Sequence, residues 1–326
     1  MVLKAPITLA IHSIGSEERQ SVVEDVRRGL RATPKRLPTR CLYDARGCEL
    51  FDAITELPEY YQTRTEAKIL EASGSEVVER VRPEAIVELG AGSCTKTPIL
   101  IDAALARGEL RHFVPFDISE GAVREAAGAL VQRYPGLSIY GLVGDFTSHL
   151  AGIPRLGRQL VAFLGGTIGN LEPPERAAFL GTVRALLAPG DAFLLGIDLV
   201  KDETVLNAAY NDRAGVTAAF NLNILHVLNN ELGADFDLGG FEHVARYEAG
   251  EERVEMHLRS RRDQTVRLPA LGFDVRFAAG EEIRTEVSAK FTRASIEASL
   301  VAADLQLAGW YTDPDRLFGM ALAEAA

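Results

Sequence analysis

The sequence predicts an α/β protein in which a doubly wound, largely parallel sheet is joined to a second lobe of mixed α and β structure. Three observations carry that expectation. The centre of the chain alternates short apolar runs with segments of helical patterning, as parallel strands linked by helices do. One run, Ile86-Val87-Glu88-Leu89, breaks into Gly90-Ala91-Gly92, which reads as a buried strand ending in a tight turn. Residues 241–289 instead alternate apolar and polar side chains, the pattern of antiparallel strands with one wet face.

Taken in order, residues 17–30 place Val22, Val23, Val26 and Leu30 at helical spacing among charges, an amphipathic helix. Pro34 and Pro38 make 32–41 extended. A helix over 47–56 ends before Pro58, and another spans 63–72. Strands are expected at 85–89, 112–116, 138–142, 160–164 and 192–198, with helices at 98–107, 119–133 and 174–188 between them. Residues 203–232 read as helical. After the alternating region come a helix at 292–304 and two strand-like segments, 305–311 and 317–323. Residues 63–200 with 290–326 form the nucleotide-binding lobe in this reading, and 1–62 with 201–289 the accessory substrate-binding lobe. The cleft between lobes is the default ligand site.

A chain of 326 residues, 47% hydrophobic and 25% charged, suits one large or two moderate soluble domains. Its net charge of −11 argues against nucleic-acid binding, which needs a basic surface. Three cysteines (Cys41, Cys48, Cys94) make no disulfide framework and favour a reducing cytoplasm. The six histidines show no metal-ligand spacing, so no metal is expected. No signal peptide, transmembrane stretch or repeat stands out, so no membrane partner is expected either.

The glycine turn admits three ligands. A dinucleotide fingerprint needs a third glycine where Thr95 stands. A P-loop is missed by one glycine, since Thr95-Lys96-Thr97 otherwise follows its pattern, and Asp198 could hold the Mg²⁺ such an NTPase needs. An acid followed by Gly-x-Gly, Glu88 to Gly92, also suits a class I methyltransferase that uses S-adenosylmethionine. Asp117 ends the second strand, where an acid can accept from both ribose hydroxyls or can cap the next helix. Asp145 and Phe146 follow the third strand and suit an adenine amino group and ring, or simply an acidic turn beside a core aromatic. Gly165-Gly166 after the fourth strand allows close approach to a ligand. Asn170 offers a donor and an acceptor to an amino acid, or caps the helix that follows Pro173 and Pro174.

Longer motifs then accumulate. Leu57-Pro58-Glu59-Tyr60-Tyr61-Gln62-Thr63-Arg64-Thr65-Glu66 stands with Tyr43-Asp44, Leu50-Phe51, Glu88 to Gly92, Lys96-Thr97, Asp145-Phe146, Gly165 to Leu171, Ala209-Tyr210-Asn211-Asp212, Phe220-Asn221 and Glu286-Val287-Ser288. In these residues, and in their order over nearly the whole chain, the sequence resembles the histidine Nα-methyltransferases of ergothioneine biosynthesis. Gln62, where the family pattern has proline, is the visible departure.

The resemblance implies a class I Rossmann-like methyltransferase lobe, an accessory lobe that closes over free L-histidine, and trimethylation to hercynine with S-adenosylmethionine as methyl donor. It implies a monomer without a metal. Gly90, Lys96, Asp117, Asp145 and Phe146 match cofactor-binding positions. Asn170 and Tyr210 match those at the substrate carboxylate and amine. Glu286 and Ser288, with Val287 between them, match the segment that binds imidazole, with Met256 nearby. Tyr43, Tyr60 and Gly165 line the substrate site, and Tyr43 and Asn170 take the catalytic roles. By pattern alone Glu286 and Ser288 would lie on a solvated strand face. On a pocket wall, two such residues point to the same side and can engage both imidazole nitrogens of a neutral ring, or hold an imidazolium. A relative that methylates another amino acid, such as tryptophan, is the nearest alternative, and a P-loop-like NTPase the alternative of a different class.

Overall fold

The structure, a computed structural model, describes residues 10–13 and 18–326. The remaining N-terminal positions, on which part of the signal-peptide expectation and the first residue of the expected amphipathic helix fall, lie outside the described residues. The chain divides into two compact units. The first is Met1–Ile14 (described over 10–13), Gln62–Val200 and Phe291–Ala326; the second is Gly15–Tyr61 (described from Glu18) and Lys201–Lys290.

The first unit holds one sheet built from β1 (Ala10–Ser13), β2 (Ala85–Leu89), β3 (His112–Asp117), β4 (Ser138–Val143), β5 (Gln159–Phe163), β6 (Ala192–Asp198), β7 (Leu305–Thr312) and β8 (Phe318–Ala325). Their order is β1-β4-β3-β2-β5-β6-β8-β7, and all pairs are parallel except those made by β8. Helices Thr97–Arg107 and Glu120–Arg133 carry the chain from β2 outward through β3 to β4. The chain then returns to lay β5 along the other edge of β2. Strand order therefore reverses at β2, and open α/β sheets bind ligands beyond the carboxyl ends of strands at such a point. Leu89 sits opposite both Phe116 and Phe163, so the turns after β2, β3 and β5 leave the sheet at one level. Every residue of β2, β5 and β6 is buried, as strands covered on both faces require.

Helix Gln62–Val81 runs past the expected stop at Ala72. Ser73 returns its hydroxyl to the carbonyl of Ile69 at 2.6 Å, and Val77, Val78 and Val81 are buried, so packing carries the helix through Gly74. Residues 10–13 correct the expected lobe boundary: β1 pairs in parallel with β4 rather than joining the accessory elements. Four residues give too little periodicity to announce a strand, and only the open edge of β4 selects one.

In the second unit, strands Lys35–Arg36, Glu282–Ala289, Arg253–Ser260 and Phe241–Glu248 form a sheet in that order, with a separate hairpin of Gln264–Leu268 and Phe273–Phe277. Helices Glu203–Tyr210 and Val216–Leu232 cover one face. His243 meets the carbonyl of Tyr210 at 2.9 Å, and Asn221 donates to the carbonyl of His257 at 2.9 Å. A bulge decides which side chains reach that inner face. Arg284 opposes His257 but Glu286 opposes Met256, so Thr285 is an extra residue. The alternation is shifted by one at this point. Glu282 and Arg284 face outward, into an ion-pair network with Arg259, Arg246 and Glu255. Glu286 and Ser288 face inward beside Met256 and Val254.

No helix among the described residues is long and apolar enough to cross a membrane.

Candidate active site

The glycine turn is built for backbone exposure. Gly90 and Gly92 have φ of 64° and 50°, a region that side chains with a Cβ rarely occupy. A Cβ on Gly92 would meet no protein atom within 4 Å, so the turn bounds open space that only its glycine leaves clear. The Gly92 N–H donates to Asp117 Oδ2 at 2.9 Å and the Ser119 N–H to Oδ1 at 2.8 Å. Asp117 thus fastens the turn to the end of β3 and, beyond the backbone N–H groups of Gly92, Ser119 and Ile118, keeps acceptor capacity for a ligand hydroxyl. Burial pushes its carboxyl above the ordinary range, against these N–H groups, which favour the charged form. It does not cap the following helix; Ser119 does, accepting from Ala122 at 3.3 Å.

Beneath the turn, Glu88 is fully enclosed and accepts from the Thr97 hydroxyl. Burial pushes its carboxyl up to about 7, opposed by Thr97 and the Lys96 charge. Thr97 therefore spends on Glu88 the hydroxyl that a P-loop would turn to a metal. Lys96 is also engaged: its ammonium pairs with Glu66 on helix Gln62–Val81, a carboxylate with no solvent exposure. The same carboxylate accepts from the Gly165 N–H at 2.9 Å. A Cβ on Gly196 would stand 1.9 Å from Glu66 Oε1, so β6 has glycine where that carboxylate crosses it. Glu66 closes the Leu57–Glu66 motif, but its partners lie on three distant segments, so no local pattern announces its role.

Gly165 and Gly166 follow β5 with φ of 78° and 72°. Asn170 ends the short 3₁₀ turn Thr167–Asn170 and does not cap the next helix. That helix starts after Glu172, whose N–H donates to Glu175 at 2.9 Å. Asp145 closes a turn, accepting from the Thr147 N–H at 2.7 Å and hydroxyl at 2.6 Å. Phe146 is half-buried, with its ring centre 5.0 Å from that of Phe163 and 5.8 Å from that of Phe179. Gly90, Lys96, Asp117, Asp145, Phe146, Gly165 and Asn170 thus all belong to the carboxyl edge of one sheet. Bare backbone, an acid with spare lone pairs and a flat apolar ring suit the tail, ribose and adenine of S-adenosylmethionine.

The second unit gathers the other set. Glu286 lies directly opposite Met256, and Ser288 opposite Val254, on the covered face. Tyr210 ends its helix with its hydroxyl donating to Ser288 Oγ at 2.8 Å. Lys290, also buried, donates to Tyr210 Oη at 2.9 Å and to Ser288 Oγ at 2.8 Å. No sequence motif drew attention to Lys290; its strand-face position two residues beyond Ser288 was the available signal. Val287 does not share this face, since strand alternation turns its side chain the opposite way. Tyr43 and Tyr60 meet instead around Phe51, at ring distances of 5.8 and 6.1 Å, with Phe220 5.6 Å from Tyr43. The neighbouring Asp44 caps helix Ala45–Thr55 through the Gly47 N–H at 2.7 Å and accepts from Asn223 at 2.7 Å. Among the described residues no cluster of His, Cys, Asp or Glu could hold a metal.

The family profile described as histidine-specific methyltransferase, SAM-dependent, matches residues 22–325. The chain is 51% identical over 317 residues to the histidine N-alpha-methyltransferase of Mycolicibacterium smegmatis, covering 97% of this chain and 99% of that one. It is 51% identical over 299 residues to the protein of the same description from Mycobacterium tuberculosis, covering 92% and 93%. Ergothioneine biosynthesis protein 1 of Neurospora crassa is 34% identical over 225 residues, which are 67% of this chain and 26% of the longer fungal protein.

Proposed function

This chain belongs to the family of histidine-specific, S-adenosylmethionine-dependent methyltransferases, and on that premise we propose that it trimethylates the α-nitrogen of free L-histidine, giving hercynine as the first step of ergothioneine biosynthesis. The observation that carries the choice of acceptor is the inward pair Glu286 and Ser288 beside Met256. A bulge spent on burying a carboxylate and a hydroxyl on one wall makes sense for a ring with two nitrogens. A ligand without ring nitrogens forgoes polar contact with both groups, which is costly on a buried wall.

S-adenosylmethionine, when bound, supplies a methyl group that is already electrophilic on its sulfonium. The protein's task is then alignment of the amine lone pair behind that carbon, in line with the departing sulfur. Each transfer forms one N–C bond as the C–S bond breaks. The ammonium that results must lose a proton before the next attack. A peptide-like α-amine has a pKa of about 8, so the neutral form is within reach without a strong base. In this proposal a water takes that proton, directly or relayed through the Tyr43 hydroxyl as it passes on its own, and the ring favours the growing methylammonium by a cation–π contact. Asn170 and Tyr210 hold the substrate carboxylate and amine region. The N–H-rich glycine turn, Asp117 and the Glu66-Lys96 pair hold and order the donor side.

The same proposal makes the protein a monomer working in the cytoplasm on small molecules, without a metal. Light scattering behind a sizing column gives its mass, and activity in EDTA should be unchanged. A panel of free amino acids tests the acceptor. Histidine should exceed tryptophan by more than a hundredfold in kcat/KM; equal rates would reject the assignment of the pocket.

A further inference from the structure

The pocket wall formed by Glu286 and Ser288 can suit either a neutral imidazole or an imidazolium, and the buried Lys290 decides between them. An ammonium has three donors and no acceptor. Lys290 Nζ gives one to Ser288 Oγ at 2.8 Å and one to Tyr210 Oη at 2.9 Å, with the cation 4.8 Å from the Tyr210 ring centre. The Tyr210 phenol then donates to Ser288 Oγ at 2.8 Å. A serine oxygen has two lone pairs, and these two bonds use both. What Ser288 retains is its own proton. We infer that Lys290 fixes Ser288 as a hydrogen-bond donor, so that the pocket selects the neutral imidazole tautomer with its bare nitrogen toward Ser288 and its N–H toward Glu286.

An imidazolium presents N–H on both edges. One would face the Ser288 hydroxyl proton, with the Lys290 ammonium directly behind it. The same wall discriminates among amino acids. An indole offers no acceptor nitrogen to Ser288, and a guanidinium offers only donors. Lys290 is thus a specificity-determining positioning residue, which need not touch the substrate. The inference rests on the histidine reading of this site.

The charged and titratable groups around Ser288 and Lys290 come from each packed element. Glu286 lies on the same strand. Tyr210 comes from its helix, and His243 and Tyr247 come from strand Phe241–Glu248, facing inward in register with Leu258 and Val254. Strand Arg253–Ser260 presents Val254 and Met256 here and turns Arg253 and Glu255 outward. The Glu252 backbone carbonyl accepts the Lys290 backbone N–H at 2.7 Å, which brings the Glu252 side chain to this region. Burial pushes the Tyr247 phenol up, Glu252 adds to this, and Lys290 opposes it. Burial lowers the His243 pKa, so this residue stays neutral over more of the acid range than a free histidine.

The test uses histidine betaine labelled with ¹⁵N in the ring, because its trimethylated α-nitrogen does not titrate, bound to the protein saturated with S-adenosylhomocysteine. At about pH 5.5 the free ring, with a pKa of about 6.5, is about nine-tenths imidazolium. The bound ring should nonetheless show one protonated and one bare nitrogen, and the Kd should be about tenfold weaker than at about pH 7.5. Two protonated ring nitrogens in the bound state, or a Kd that does not weaken, would overturn the inference while leaving the histidine reading standing. Absence of any binding of histidine or its betaine would overturn both. Lys290→Met, checked for folding by retained S-adenosylhomocysteine affinity, frees a Ser288 lone pair and should flatten the pH dependence to about twofold. A folded Lys290→Met protein with the wild-type slope would overturn the role of Lys290. If that variant does not fold, the ¹⁵N spectrum of the wild-type complex decides alone.

Discussion

Glu88 links the glycine turn to stability in a way that pH can expose. It is the acid that opens the turn, it is enclosed on all sides, and burial is the first cause of a carboxyl pKa pushed up from 4.5 to about 7. Folding therefore tightens its hold on a proton. A raised pKa contributes stability below the unfolded value of 4.5, and this contribution is lost as pH rises through about 7, beyond which it is constant. The whole span amounts to about 3 kcal/mol, most of which falls between about pH 5 and about pH 8. Glu88→Gln keeps an acceptor for Thr97 and removes the titration. Urea melts of both proteins across that range should show the variant gaining on the wild type by roughly 2–3 kcal/mol toward alkaline pH, and the gap levelling above about 7. Other titrating groups cancel in the difference. A gap that does not change with pH would refute the assignment of a buried, largely protonated Glu88.

Gly196→Ala should push Glu66 off the Gly165 N–H and Lys96, weakening S-adenosylhomocysteine binding by about tenfold and lowering stability by about 1–3 kcal/mol; calorimetry and melts read both. Lys96→Ala leaves the enclosed Glu66 charge without its ammonium, so a loss of about 3 kcal/mol is expected in urea melts, together with weaker S-adenosylhomocysteine binding. An unaltered Kd would remove Lys96 from the cofactor site. Glu286→Ala should weaken histidine binding by about 10- to 100-fold while S-adenosylhomocysteine binding stays as in the wild type, and an unchanged histidine Kd would reject its role.

Much of the fold is legible in the sequence because strand and helix leave different periods. The runs ending at Leu89, Asp117, Val143 and Phe163 are largely apolar, and glycine follows directly at Gly90 and Gly144 and one residue later at Gly165. Asp117 and Gly165 could be picked out because they stand at or just after strand ends, and Asn170 because it closes the Gly-rich segment that follows. What sequence does not disclose is pairing at a distance. Helix Gln62–Val81 passes Gly74 because Val77 and Val78 are buried beyond it. β1 exists because an edge of β4 accepts it. Glu66 gains its meaning from Lys96, Gly165 and Gly196, thirty to more than a hundred residues away. The inward turn of Glu286 and Ser288 depends on one unpaired residue, Thr285, and by strict alternation from Glu282 both would face outward with the ion pairs. The motif named these residues, and the bulge explains how they come to line a buried wall.

The central claim is a reaction at one atom, and product analysis tests it most directly. The protein is incubated with L-histidine and S-adenosylmethionine labelled in its methyl group, and the product is examined by mass spectrometry and NMR. The account predicts a histidine that has gained three labelled methyl groups, all on the α-nitrogen, with the imidazole unmodified. Label on a ring nitrogen, or no label on histidine at all, would contradict it.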